Sequence, residues 1–198
     1  MLFFQNLYDN AGKRIGSYAS HFKTTLINWN KPVTPGESSR NRPRPVSPEV
    51  FAEQIQPLMD QVSIMATSVE AKLRHGNYFV RGKPDAFCDS TGLFHCQCSL
   101  PELCPRNHKI NAYESNVQRM MMELWELDHI ITQAGLARWV FENATGVHNS
   151  NGKMTFNAAY FYEKICTRNN LRIVFKICHS KKSRYDMIFR NQAITTSL

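Results

Sequence analysis

SPEVFAEQIQPLMDQVSIMATSVEAKLRHG, residues 47–76, reads as an amphipathic helix and decides the expected fold. Ser47 supplies a capping hydroxyl, Pro48 suits the first helical position, and Glu49 faces the positive end of the helix dipole. The apolar residues Phe51, Ile55, Leu58, Val62, Met65, Val69 and Leu73 recur every three or four positions, the spacing of one helical face, up to Gly76. Pro57 lies inside the pattern and should kink it near Glu53. Burying that face would contribute gross hydrophobic free energy on the order of 10–15 kcal/mol before entropy.

Downstream, Val117, Met120, Met121, Leu124, Leu127, Ile131, Ala134 and Trp139 outline a second long helix from about Tyr113 to Phe141. In it His129 reads as a partly buried or surface histidine. Residues 155–166 suggest a shorter third helix, and the alternation from Leu171 to Cys178 suggests a strand with Arg172, Val174 and Lys176 on its polar face. The expected class is therefore mainly α (α+β): two long amphipathic helices, a shorter helix, a small C-terminal β element and an extended N-terminal arm. The arm and its Pro/Arg linker take residues 1–47, the helical core 48–163, and a basic segment 164–198. Phe3, Phe4, Tyr8, Tyr18, Phe22 and Trp29 make the arm aromatic, and the five prolines of residues 31–48 argue that it reaches a neighbouring subunit in a homo-oligomer.

Charge is sorted along the chain. Residues 1–44 carry a net +5, residues 45–163 a net −4, and residues 164–198 a net +7. Clustered cations gain affinity for phosphates by releasing counterions, so both ends read as nucleic-acid contacts; for the linker arginines a solvated tether fits equally, while the C-terminal segment favours binding over a solvated strand face and tail. The candidates are Arg40, Arg42 and Arg44 in the linker and Arg168, Arg172, Lys176, Lys181, Lys182, Arg184, Tyr185 and Arg190 near the C-terminus. Aromatic rings interleaved with cations suit single-stranded nucleic acid, with RNA favoured.

Cys88, Cys96, Cys98 and Cys104 precede His108 in the pattern C-x7-C-x-C-x5-C-x3-H. Thiolates and an imidazole in a short loop could hold one structural Zn²⁺, although the spacing lacks paired C-x2-C knuckles. Reduced cysteines packed in a loop, or a disulfide, fit the same residues.

No Walker loop, H-E-x-x-H or G-x-S-x-G occurs, so no catalytic motif argues for an enzyme. No apolar run approaches the ~20 residues of a membrane span, and no secretory signal precedes the core, so the expected location is cytoplasmic or within a virus particle. The nine residues Thr155 to Glu163, TFNAAYFYE, resemble an aromatic-rich helix of flexuous plant-virus coat proteins, a match too short to assign a family. Together these features suggest a structural RNA-binding subunit of a nucleoprotein assembly, of coat or nucleocapsid type. A zinc-stabilised adaptor, such as a viral suppressor, and a ribosome-associated protein are the alternatives.

The basic tail has a direct test. Changing Lys181, Lys182 and Arg184 together to Ala should lower the log–log salt slope of nucleic-acid binding by about 2–3, since each phosphate contact contributes ~0.7–0.9. An unchanged slope removes these residues from the interface.

Overall fold

The computed structural model describes residues 2–32, 42–98, 104, 107–144, 154–180 and 194–196, with side chains for 14–32, 42–98, 104, 107–144 and 155–179. It is a mixed helix-and-strand fold, so the expected α+β class holds. Helix α1, Leu2–Asn30, packs against α3 (Gln56–Thr67), α4 (Val69–Asn77), α6 (Gln133–Ala144) and α7 (Ala158–Cys166). Among the described residues, three two-stranded antiparallel sheets complete it. They pair β1 (Leu93–His95) with β2 (Lys109–Asn111), β3 (Trp125–His129) with β5 (Leu171–Phe175), and β4 (Met154–Phe156) with β6 (Ile194–Thr196).

The N-terminal segment is not an arm held away from its own core. Ile15, Ala19, Phe22 and Leu26 recur at three- and four-residue intervals and are fully buried, with Phe22 stacked on Phe161 at 6.0 Å. Within the described part of α1, apolar side chains are therefore covered by the same chain, and the expectation of an intersubunit arm loses its physical basis. The linker also returns. The Arg42 guanidinium donates to the carbonyls of Asn28, Trp29 and Lys31, satisfying acceptors at the C-terminal end of α1. Val46 N–H donates to the Asn30 side chain at 3.1 Å. Arg42 thus serves as a helix cap.

The stretch at 47–76 is helical with two interruptions. Ser47 caps α2 (Pro48–Val50) by accepting from Val50 N–H, and Phe51–Ile55 form a π-helical turn closed by Gln56 N–H on the Phe51 carbonyl. The distortion expected from Pro57 takes that form, because proline has no N–H to continue the α-helical ladder and its ring crowds the preceding turn. Ser68 then breaks the run: its backbone is extended and its hydroxyl caps α4 through Ala71 N–H. The new helix is rotated, burying Ala71, His75 and Gly76 and leaving Val69 and Leu73 on the surface.

The second long helix is also corrected. Residues 113–141 divide into α5 (Asn116–Met121), a 3-10 turn (Met122–Leu124), strand β3 and the start of α6. Trp125–His129 is extended because β5 is available to pair with it, in register from Trp125↔Phe175 to His129↔Leu171. Asn157 caps α7 as the third helix. Strand β5 ends at Phe175 and passes directly into α8 (Lys176–Ser180). Arg172 and Val174 are buried, so β5 has no solvent-facing basic side.

Replacing Phe22 with Ala should cost about 3–5 kcal/mol of stability in urea denaturation of the isolated chain. A segment that docked only on a neighbour would leave that monomer stability unchanged.

Candidate active site and candidate metal centre

The antiparallel pairing of β3 and β5 sets Asp128 opposite Arg172. Both are nearly buried, and two guanidinium nitrogens of Arg172 reach the same carboxylate oxygen, Oδ2, at 2.8 and 3.0 Å. The other oxygen, Oδ1, lies 3.3 Å from Nε2 of His179 on α8. Arg172 therefore stabilises the carboxylate as an anion and fixes the way it faces.

His129, next on the strand, is 9% exposed, with Nε2 2.8 Å from the Ile165 carbonyl. A carbonyl only accepts, so Nε2 carries the proton and the ring's basic lone pair is on Nδ1. Tyr18 on α1 meets this ring edge-on at 4.6 Å and donates its hydroxyl to the Leu127 carbonyl at 3.3 Å. Burial raises the Tyr18 phenol above its ordinary value, against the pull of Arg14, so it remains a donor.

These residues line a cleft of about 700 Å³ whose walls are Ser17, Tyr18 and His21 from α1, Asp128 and His129, Thr132 and Gln133 at the start of α6, and His179. A nearly buried carboxylate, an imidazole of fixed tautomer and a second, half-exposed imidazole thus converge on one open cavity, a combination suited to general acid–base chemistry.

A second cluster stands beside it. The ligand atoms of Cys96, Cys104, His108 and Cys178 all lie within 4.8 Å of one another. Cys104 Sγ is 3.1 Å and Cys178 Sγ 3.5 Å from His108 Nδ1. Phe175 stacks on the His108 ring at 4.5 Å and donates its N–H to Cys96 Sγ. Burial, and then the neighbouring Cys104 and Cys96 sulfurs, push the Cys178 thiol up to about 12. Sulfurs crowded in this way resist ionising together unless a cation lies among them.

Three of the five metal ligands expected from sequence, Cys96, Cys104 and His108, are thus brought together. Cys88 instead bridges to Phe94 as a buried core residue, and Cys98 is not among the four. No disulfide joins the six cysteines. Cys178 completes the set from 70 positions beyond His108, a separation that spacing within a loop could not reveal. The adjacent Cys178-His179, just after a strand, was the available signal.

Of the expected nucleic-acid contacts, Arg44 and Lys176 are exposed, Arg42 caps α1, and Arg168 lies over the Phe87 ring at 4.3 Å. Arg172 is turned inward to Asp128, because β5 is covered on both faces. Arg40, Lys181, Lys182, Arg184, Tyr185 and Arg190 lie outside the described residues. No helix among the described residues is long and apolar enough to cross a membrane.

Comparison with known proteins places this geometry in context. A family model described as DNA fragmentation factor 40 kDa matches residues 6–194. DNA fragmentation factor subunit beta from Bos taurus is 30% identical over 135 residues, covering 67% of this chain and 39% of that protein. The Homo sapiens protein of the same name is 27% identical over 135 residues, and the Mus musculus protein 31% over 120. The chain therefore spans about two fifths of the length of these relatives, 39% for the first. The crystal structure of caspase-activated DNase (CAD) superposes with a TM-score of 0.68 at 23% identity, over 96% of this chain and 68% of that one, which shows a shared fold.

These matches overturn three expectations. The chain is not a coat or nucleocapsid subunit, since its sequence relatives are DNA fragmentation factor subunits, and the short coat-protein resemblance at 155–163 has no further support. The adaptor, suppressor and ribosome-associated alternatives fall for the same reason. The expectation that it is not an enzyme gives way too, since the family model that matches is DNA fragmentation factor 40 kDa and the solved structure sharing its fold is titled a DNase. The chain belongs to the DNA fragmentation factor 40 kDa family.

Proposed function

We propose that the cleft between α1, β3 and α8 hydrolyses phosphodiester bonds of DNA. The observation that carries this reading is the convergence of His129, with its basic lone pair on Nδ1, and the Asp128–His179 pair on one cavity. Family membership and the likeness to a DNase support it.

In this reading His129 takes the proton from an attacking water through Nδ1. The Ile165 carbonyl stabilises the imidazolium that results, since Nε2–H already donates to it. The water oxygen bonds to phosphorus, and the bond to the leaving sugar oxygen breaks, with solvent returning a proton to that oxygen. Asp128 Oδ1 and His179 Nε2, a carboxylate oxygen and an imidazole nitrogen 3.3 Å apart, form a donor pair suited to a divalent cation such as Mg²⁺ or Mn²⁺. Such an ion would offset the charge that develops on the phosphate. Arg172 keeps Asp128 ionised and aimed at the cleft throughout. The basic residues around and after His179, from Lys176 to Arg190, would hold the phosphates of the flanking backbone.

The thiol–imidazole cluster is assigned to one structural Zn²⁺. Three thiols and one imidazole complete a four-ligand set, leaving no position for a reacting water. Because Cys178 precedes His179 on α8, the ion would also fix the helix that carries the cleft's second imidazole.

Two experiments test these assignments. Incubated with supercoiled plasmid and Mg²⁺, the wild-type chain should nick and then linearise the DNA. His129→Ala should lower kcat about 10²–10⁴-fold while still binding DNA. An inert wild-type chain, or one that prefers single-stranded RNA, overturns the reading. Separately, protein purified without chelator should contain about one zinc per chain, and stripping it should lower the melting temperature. Metal-free protein with an unaltered melting curve removes the zinc assignment.

A further inference from the structure

Residues two apart on a strand share a face, so Glu126 and Asp128 leave β3 on the same side. Helix α8 follows β5 with no intervening residue and packs against β3, which returns His179 over both carboxylates. His179 Nδ1 lies 2.7 Å from Glu126 Oε2, and Nε2 lies 3.3 Å from Asp128 Oδ1. Asp128 lines the cleft and is bound by Arg172, whereas Glu126 does not line the cleft and stands behind the imidazole.

A carboxylate opposite Nδ1 accepts a hydrogen bond and so holds the ring's proton there. A neutral imidazole with its proton on Nδ1 has its lone pair on Nε2, on the side of Asp128 and the cavity. In water the opposite tautomer is preferred, so the ring left alone would turn a proton toward the position where a lone pair is needed. We infer that Glu126 is a positioning residue of the candidate active site: by accepting Nδ1–H of His179 it selects the tautomer that directs the Nε2 lone pair at the Asp128 side of the cleft. Glu126 is not among the residues lining the cleft, and its route to the site is through His179. This inference rests on the nuclease reading for its catalytic consequence but not for its structural content.

The test separates the two. Histidine-labelled protein is studied by ¹⁵N and ¹³C NMR as the pH is raised until the ring signals no longer change, so that the neutral ring is observed. The His179 signals are assigned by their loss in His179→Gln. Wild type should show the Nδ1–H tautomer. Glu126→Gln retains an oxygen acceptor and should keep it, whereas Glu126→Ala should shift the ring toward Nε2–H while the fold, followed by thermal melting, persists. In plasmid cleavage with Mg²⁺, Glu126→Ala should lower kcat about 10–100-fold with KM for DNA unchanged, and Glu126→Gln should restore most of the loss. Retention of Nδ1–H in Glu126→Ala overturns the inference, as does a shifted tautomer with undiminished kcat. If wild type does not cleave DNA, the nuclease reading fails by itself, and the tautomer measurement decides the role of Glu126 unaided.

Discussion

The ion pair between Arg172 and Asp128 is the constraint on which the candidate active site rests. It joins the two strands that bring distant parts of the chain together, and both partners are almost inaccessible to water. A charge so buried is stable only when paired: removing one member of such a pair typically costs 3–5 kcal/mol, because the other is left uncompensated. Two guanidinium nitrogens fall on Oδ2, while Oδ1 lies 3.3 Å from His179 Nε2, so the two carboxylate oxygens are placed differently. That placement leaves Oδ1 toward His179, so one interaction both holds the sheet and orients the site.

Around this pair the secondary structure is short, and side-chain hydrogen bonds do much of the fixing. Asn170, 1% exposed, accepts from Ile131 N–H and donates to the carbonyls of Ile131 and Lys164, tying the turn after β3 to α7 and to the entry of β5. Gln97 pairs with Ile173 through both its backbone N–H and its side-chain oxygen, laying the Cys96 segment along β5. Strand β5 thus supports both places, the thiol cluster through Phe175 and the cleft through the Arg172 pairing to Asp128, and the adjacent residues Cys178 and His179 serve one each.

Much of the fold was legible in the sequence, and the failures have physical causes. The helix start at Ser47-Pro48-Glu49 and the kink before Pro57 rest on local chemistry, and both appear in the structure. Ser68 is a cap of the same kind as Ser47, but Val69 and Leu73 continued the apolar period past it and hid the break. The spacing of Ile15, Ala19, Phe22 and Leu26 was present in the N-terminal segment, and a proline-rich linker that follows a helix does not prevent that helix from packing on its own core. Trp125–His129 is extended only because β5, more than forty positions away, is there to pair with it. The same separation concealed the cleft and the fourth cluster ligand, since no local spacing links Asp128 to His179 or His108 to Cys178.

The order in which the cleft's parts occur along the chain has a consequence for when it can exist. Its walls come from residues 17–21, 128–133 and 179, and the partner that charge-balances Asp128 is residue 172. At a synthesis rate of about 5–20 residues per second, the helical core around α1, α3 and α4 emerges seconds before β5 does. Until then Asp128 has no guanidinium and His179 has not been made. The cleft is therefore among the last features this stretch of chain acquires: whatever chemistry it supports cannot begin until residue 179 has been added and has packed against β3.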